Sequence, residues 1–410
     1  MKIALKHLTI CISLFISSFI SLVISSFISL TLSAPSFAYV IEDCTLNGKS
    51  VSMYNGATTA GKTGIIICKD RENGQMTSQR EIKAGKIYGL YRHYQNGVLT
   101  LEYTDTENGQ RNGVTRKYAP NKQLIQEETE VMGKRQGLQR EWFPDGTLKK
   151  VEWIADDRPP ASVHYTQKSA LNSLSCSNKA LLAPHVDDAT LCGFKSKAVT
   201  HTYYNEEGQK RATETILAGV IQQAISFDTS TGKIRNTMEL KANQMTETGF
   251  FENGNKQYEN VINTAEKNRA FVRKSVFYEN GSKKQEQIFD MLDIEGKRRN
   301  FMSSETQFFQ NGQMRQQQVF TLENGNYFKE VKSFNDKGSL SSQAKYQQLG
   351  SYNNRPVGIH KIFFEDGKIS HEDHYDKNGK LFRQKRWDEN ATLLSDDEVF
   401  EDGSRKAFSK

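Results

Sequence analysis

One phrase keeps returning along this chain: two adjacent aromatics, two or three polar residues, then glycine. Phe250-Phe251-Glu252-Asn253-Gly254 is one copy. Others are Phe277-Tyr278-Glu279-Asn280-Gly281, Phe308-Phe309-Gln310-Asn311-Gly312 and Phe363-Phe364-Glu365-Asp366-Gly367. Trp142-Phe143-Pro144-Asp145-Gly146 and His93-Tyr94-Gln95-Asn96-Gly97 also fit. Looser copies end at Gly74, Asn121, Gly208, Gly232, Gly338, Gly379 and Gly403. Successive copies are commonly 22–31 residues apart. The last three intervals, from Gly367 through Gly379 and Ala391 to Gly403, shrink to 12. Self-similarity at such a period is the signature of a repeat architecture.

The phrase has the chemistry of a β-hairpin. Asn-Gly and Asp-Gly pairs suit the positive φ that tight hairpin turns demand. Flanking runs such as Tyr88 to Tyr94 and Val98 to Tyr103 are rich in the aromatic and β-branched residues that fit a pleated surface. Adjacent aromatics in a strand point to opposite faces, so each hairpin is expected to offer one ring to each side. A second phrase, Gly-x-x-x-Gly and then a strand, falls about half a period away. Gly85-Lys86-Ile87-Tyr88-Gly89, Gly109-Gln110-Arg111-Asn112-Gly113 and Gly133-Lys134-Arg135-Gln136-Gly137 are copies, and Asn354-Arg355-Pro356-Val357-Gly358 is a variant. These mark the return turns. A single hairpin is not stable alone, so neighbours must stack.

Together the two phrases resemble the bacterial MORN-repeat-variant family. The resemblance covers roughly residues 69–153 and 201–405. It implies an all-β fold: an antiparallel meander of hairpins forming an elongated twisted sheet. It also implies a label, since members of this family are commonly called antitoxin-like. Fold does not fix function, so the label is an association.

Residues 154–200 break the pattern. Arg158-Pro159-Pro160 is not expected to continue a central strand. The spacing of Leu171, Leu174 and Leu181 permits a short helix. The chain therefore reads as a leader (1–38), an N-terminal hairpin array (39–153), an irregular insertion (154–200) and a C-terminal array (201–410).

Residues 1–38 read as a secretory signal cleaved after Ala38. Lys2 and Lys6 form a basic head, Leu8 to Leu32 is uncharged, and Ser36-Phe37-Ala38 is a small-x-small site. The apolar run is also long enough to span a bilayer, so an uncleaved anchor is the alternative. Both readings place the rest of the chain in the periplasm or outside the cell. Cys11 belongs to the leader, and four cysteines remain. An even number in an oxidising compartment suggests two local bridges, Cys44–Cys68 and Cys176–Cys192, although other pairings fit the sequence. No pair has the C-x₂₋₄-C spacing of zinc modules.

Hydrophobic residues are 36 % of the chain, below the usual ~45–50 %. Net charge is +7, and without Lys2 and Lys6 it is +5, with acids and bases interleaved. Lys256, Lys283, Lys284 and Arg298-Arg299 sit beside Glu259, Glu286 and Glu295, which interrupts any continuous positive stripe. Nucleic-acid binding is not expected.

Three motifs invite sharper readings. Gly56-Ala57-Thr58-Thr59-Ala60-Gly61-Lys62-Thr63 matches the P-loop pattern. Yet Ile65-Ile66-Ile67 follows and reads as strand, whereas a phosphate loop needs a helix there. No cofactor is expected. His371-Glu372-Asp373-His374 suggests a metal, but residues three apart in a strand face opposite sides, so no metal site is expected. His185, Asp187 and Asp188 in the insertion are the candidate partner-binding residues. No G-x-S-x-G elbow or H-E-x-x-H helix occurs. The expectation is an exported binding module rather than an enzyme. It would be antitoxin- or immunity-like, covering a toxin or effector by steric occlusion. The alternative is an envelope scaffold that binds lipid or glycan.

Overall fold

The computed structural model describes residues 41–409, apart from 54, 157, 267–269, 295 and 351–352. Residues 1–40, with Cys11 and the cleavage expected after Ala38, lie outside the described residues. The described strands form two antiparallel sheets, of 12 and 17 strands. The chain divides into two compact units after Gly109.

The first unit contains β1 (Glu42–Leu46), β2 (Lys49–Val51), β3 (Gly64–Asp70), β4 (Met76–Lys83), β5 (Lys86–Gln95) and β6 (Val98–Asp105). Their order in the sheet is β6-β5-β4-β3-β1-β2, so β1 inserts between β2 and β3. Cys44 and Cys68 face each other across β1 and β3 and form a disulfide. Around it lie Leu46, Val51, Ile66 and Ile82, all buried.

The second unit begins with β7 (Gly113–Tyr118), β8 (Leu124–Val131), β9 (Lys134–Trp142), β10 (Leu148–Ala155), β11 (Arg158–Tyr165) and β12 (Leu171–Ser175). They lie side by side in chain order. After the insertion, seventeen strands from β13 (Val199–Tyr204) to β29 (Arg405–Ser409) continue as a meander, again in chain order. The all-β hairpin architecture expected from the repeats is therefore what the chain adopts.

The turns differ in detail from the sequence expectation. At the aromatic phrase the turn opens on the second aromatic. Gly254 N donates to Phe251 O at 2.9 Å, and Phe251 N donates to Asn255 O at 2.8 Å. In this copy only the glycine has positive φ, at 87° for Gly254, whereas in the His93 copy Asn96 and Gly97 both do. This is a turn closed by a glycine bulge, and the register shifts beside it. The asparagine before the glycine has a different task. Asn253 Oδ1 accepts the N–H of Asn255 at 2.9 Å, while its Nδ2 donates to Glu279 O of a neighbouring turn at 2.9 Å. Asn311 donates likewise to Asp336 O. The repeated asparagine thus stitches one turn to another. Two-residue turns with positive φ at both positions occur mainly on the return side, as at Ala84-Gly85, Met132-Gly133 and Ala218-Gly219.

This geometry also corrects the expectation of one ring per face. In the Phe143, Tyr278 and Phe309 copies the second aromatic leaves the strand and sits in the turn, beside a cation six residues later. Lys284 Nζ lies 5.6 Å from the Tyr278 ring centre, and the Arg315 guanidinium lies 5.9 Å from that of Phe309.

Two further expectations need correction. Pro159 and Pro160 do not end the array, because they fall in the first turns of β11's ladder. Ala155 pairs with Arg158 and Trp153 with Ala161, with a bulge between, and pairing to β12 begins only at Ser162. Neither proline N is needed as a donor there. Leu171 and Leu174 lie in a strand, not a helix. They pair with Tyr165 and Val163 across a register shift. That bulge lets residues three apart share the core-facing side, which imitates helical spacing.

Candidate functional site

The irregular segment narrows to the stretch between β12 and β13. It leaves the sheet at Cys176, which is bonded to Cys192. Both disulfides are thus the two local bridges. Leu182 and Val186 of this segment are buried against Val151, Ala161 and Val163 of β10 and β11. Trp153, Tyr165, Leu171, Leu174 and Leu191 pack around them. This gives the second unit a buried apolar cluster of its own.

The three candidate residues have different roles here. Asp188 is 2 % exposed. Its Oδ2 accepts the backbone N–H groups of Leu181 at 2.7 Å and Leu182 at 3.0 Å. Asp187 caps the short helix α1 (Asp188–Leu191), accepting from Thr190 N at 3.0 Å, and it pairs with Lys195. These aspartates hold the loop's shape. His185 alone reaches the charged residues of the sheet.

Arg140 NH1 and His185 Nδ1 are 2.9 Å apart. A guanidinium can only donate, so Nδ1 accepts and the neutral ring carries its proton on Nε2. His185 is exposed, but partial desolvation where it meets β9 pushes its imidazole below the ordinary pKa, and the Arg140 charge adds to the shift. Arg140 also pairs with Glu127, which Arg116 holds from the other side at 2.8 Å. Burial alone would raise the Glu127 carboxyl, but the two guanidinium groups hold it below the usual range. Arg116, Glu127 and Arg140 come from β7, β8 and β9, in cross-strand register.

A second cluster lies on the long sheet. The elements are β21 (Lys297–Phe308), β23 (Asn326–Phe334), β24 (Leu340–Gln348), β25 (Asn354–Phe363) and β26 (Ile369–Tyr375). Phe301 of β21 stacks on Tyr327 of β23 with ring centres 5.9 Å apart. Lys329, two residues on and so on the same face, lies 5.6 Å from the Tyr346 ring centre. Tyr346 meets His360 at 4.9 Å, and His360 meets Tyr375 at 4.7 Å. His360 is fixed by a 2.8 Å contact between Nε2 and Lys345 O. All five rings are only half-buried. Sequence reasoning missed this row. Its one local signal is the alternation of Tyr327 with Lys329.

His371 and His374 pair with Ile362 and Ile359 without a bulge between them, so they face opposite sides. His374 contacts Glu372 at 3.3 Å and the Phe382 ring at 6.1 Å. The P-loop-like segment forms a short 3-10 turn, Gly56–Thr58, capped by Asn55, and β3 follows where a helix would be needed.

Residues 356–377 match the family model described as "MORN repeat variant". The chain carries a MORN repeat variant. The matched repeat covers most of β25, its turn and β26, so it contains His360 and Tyr375. No curated protein matches the chain. Similar solved structures include "Crystal Structure of TcdB2-TccC3-Cdc42", at 9 % identity and TM-score 0.17, covering 89 % of this chain and 19 % of that one. "Crystal Structure of TcdB2-TccC3" is alike, at 11 % identity and TM-score 0.14, covering 87 % of this chain and 19 % of that one. This chain therefore spans about a fifth of those chains. A porin-like protein from Bacteroides uniformis gives 9 % identity and TM-score 0.15, over 52 % of this chain and 87 % of that one. Scores this low carry no argument about function.

Proposed function

We propose that this MORN-repeat protein is a binding module for a protein partner rather than an enzyme, and that it acts in the cell envelope after export. The observation that carries this reading is the half-buried row from Phe301 through Tyr327, Tyr346 and His360 to Tyr375, with Lys329 beside it. Adjacent strands of one sheet present these rings already ordered by their mutual contacts. Rigid aromatics with low residual entropy are the usual anchors of protein interfaces. An antitoxin- or immunity-like role fits, with the sheet occluding a toxin or effector surface. In this reading His185 contributes at the insertion, while Asp187 and Asp188 keep that loop in place.

The test is site-specific photo-cross-linking in envelope extract. A cross-linker at Tyr346 should capture one protein at stoichiometric yield, and a His360→Ser, Tyr375→Ser double variant should lose it. Equal capture by the double variant, or recovery only of lipid or peptidoglycan in co-sedimentation at low salt, would remove the protein-partner reading.

A further inference from the structure

The first unit contains a cavity that the partner-binding face does not use. Period-two alternation sets its floor. Leu46, Ile66, Arg80, Tyr91 and Tyr103 form one cross-strand row over β1, β3, β4, β5 and β6. Cys44, Cys68, Ser78 and His93 form the next row on the same face.

The roof is the P-loop-like segment. After β2 the chain folds back, and Met53 packs on the buried cluster beneath. Thr59 is 7 % exposed. The roof is clamped to the β4–β5 turn: Gly85 N donates to Lys62 O at 2.7 Å, and Ala84 N donates to Thr63 Oγ1 at 3.0 Å. A Cβ on Gly85 would lie 2.9 Å from Ala60 Cα and from Thr59 O, so the approach requires glycine. About 550 Å³ remains between roof and sheet.

The lining divides into two parts. Met53, Ile66, Ile82 and Ile87 supply apolar wall. Arg80 supplies a cation of an unusual kind. Its guanidinium sits 4.1 Å from the Tyr91 ring centre and donates to Tyr103 Oη at 3.2 Å. Its Nε is buried and has no acceptor. Among the described residues no carboxylate pairs with it. By contrast Arg92, in the adjacent strand, pairs with Glu102 at 3.2 Å. The half-buried guanidinium therefore has no counter-charge from the chain itself, and a charge facing a cavity unpaired is costly as water is excluded. A ligand anion would complete it.

We propose that this cavity binds a small monocarboxylate with an apolar tail. The carboxylate pairs with the terminal N–H groups of Arg80, and the tail lies along Met53, Ile66, Ile82 and Ile87. Glu42 lines the same cavity. It lies four positions along β1 from the Arg80 row, about 13 Å of strand. Its charge favours ligands with a single anionic end.

Calorimetric titration of the full chain tests this, with octanoate as probe and 1-octanol and octylamine as controls. Octanoate should bind one site, at least about tenfold more tightly than octanol, as a charge-assisted hydrogen bond implies. Octylamine should not bind. Arg80→Met should lose that octanoate advantage while octanol binding stays unchanged, which also shows the cavity intact. Should Arg80→Met fail to fold, Ile87→Trp decides, since it fills the cavity without touching the guanidinium and should abolish octanoate binding. Equal affinity for octanoate and octanol, no octanoate binding, or an unaltered titration in either folded variant overturns the proposal.

Discussion

Asp188 accepts the backbone N–H of the fully buried Leu182 at 3.0 Å through the same oxygen that takes Leu181 N at 2.7 Å. One carboxylate thus fixes the loop where its apolar plug enters the core of the second unit. Hydrogen bonds to a charged acceptor contribute about 1.5–3 kcal/mol, and losing them leaves buried donors unsatisfied. Asp188→Ala should therefore loosen the insertion by about 2 kcal/mol. Hydrogen exchange would show this as roughly 30-fold faster exchange at the Leu181 and Leu182 amides, with the β21, β23, β24, β25 and β26 amides unchanged.

The Cys176–Cys192 bridge closes a sequence separation of 16 residues around that plug. Loops of this size gain about 3 kcal/mol from closure in the chain-entropy view. The double variant Cys176→Ser, Cys192→Ser should keep the strand signal of the sheets in circular dichroism. It should become sensitive to limited proteolysis between residues 177 and 191. An unchanged cleavage pattern would mean that burial of Leu182 and Val186 is enough to hold the segment.

The hairpin scaffold was legible because its determinants are local. Glycine at positive φ and period-two apolar spacing lie within a dozen residues of each other. Features that need register were not legible. Leu171 and Leu174 imitate a helix because a bulge realigns them. Asn253 looks like a turn former, yet half of its hydrogen bonding goes to Glu279 of another turn. Arg140 and His185 are 45 residues apart and meet only after the insertion folds back over β9. The ring row from Phe301 to Tyr375 gathers residues from five strands, so no short window contains it. The insertion stands out in the sequence as a departure from the repeat, but which of its polar groups faces the sheet depends on how Leu182 and Val186 anchor it.

His185 gives the insertion a pH dependence. Its folded pKa is depressed by partial desolvation and by Arg140. A histidine held neutral stabilises fully above its unfolded value near ~6.5, and that contribution is lost as pH falls through the folded pKa. Protonation turns the Nδ1 acceptor into a donor facing a guanidinium. The contact should therefore open below about pH 6.5. An NMR titration should place the His185 midpoint lower than that of a free histidine, and Arg140→Met should move it upward. Amide exchange over residues 181–186 should quicken across the same pH range in the parent and less so in the variant.

Gly249 and Tyr258 test the packing of the repeat itself. They face each other across β17 (Gln244–Phe250) and β18 (Lys256–Asn263). The tyrosine ring lies directly over the glycine: an added Cβ would come 2.2 Å from Tyr258 Cε1. The ring is held there by its hydroxyl, which donates to Asn236 Oδ1 at 3.0 Å. Gly249 is not at positive φ, so alanine meets no backbone strain. Its only penalty is steric. Gly249→Ala should lift the ring, break the Asn236 bond and cost about 1–3 kcal/mol, in the range for overpacking. Pairing it with Tyr258→Leu should recover part of that loss, because the flexible side chain can move aside. Denaturant midpoints of the two single variants and the double variant measure the coupling. Strict additivity would show that the ring does not depend on the glycine beneath it.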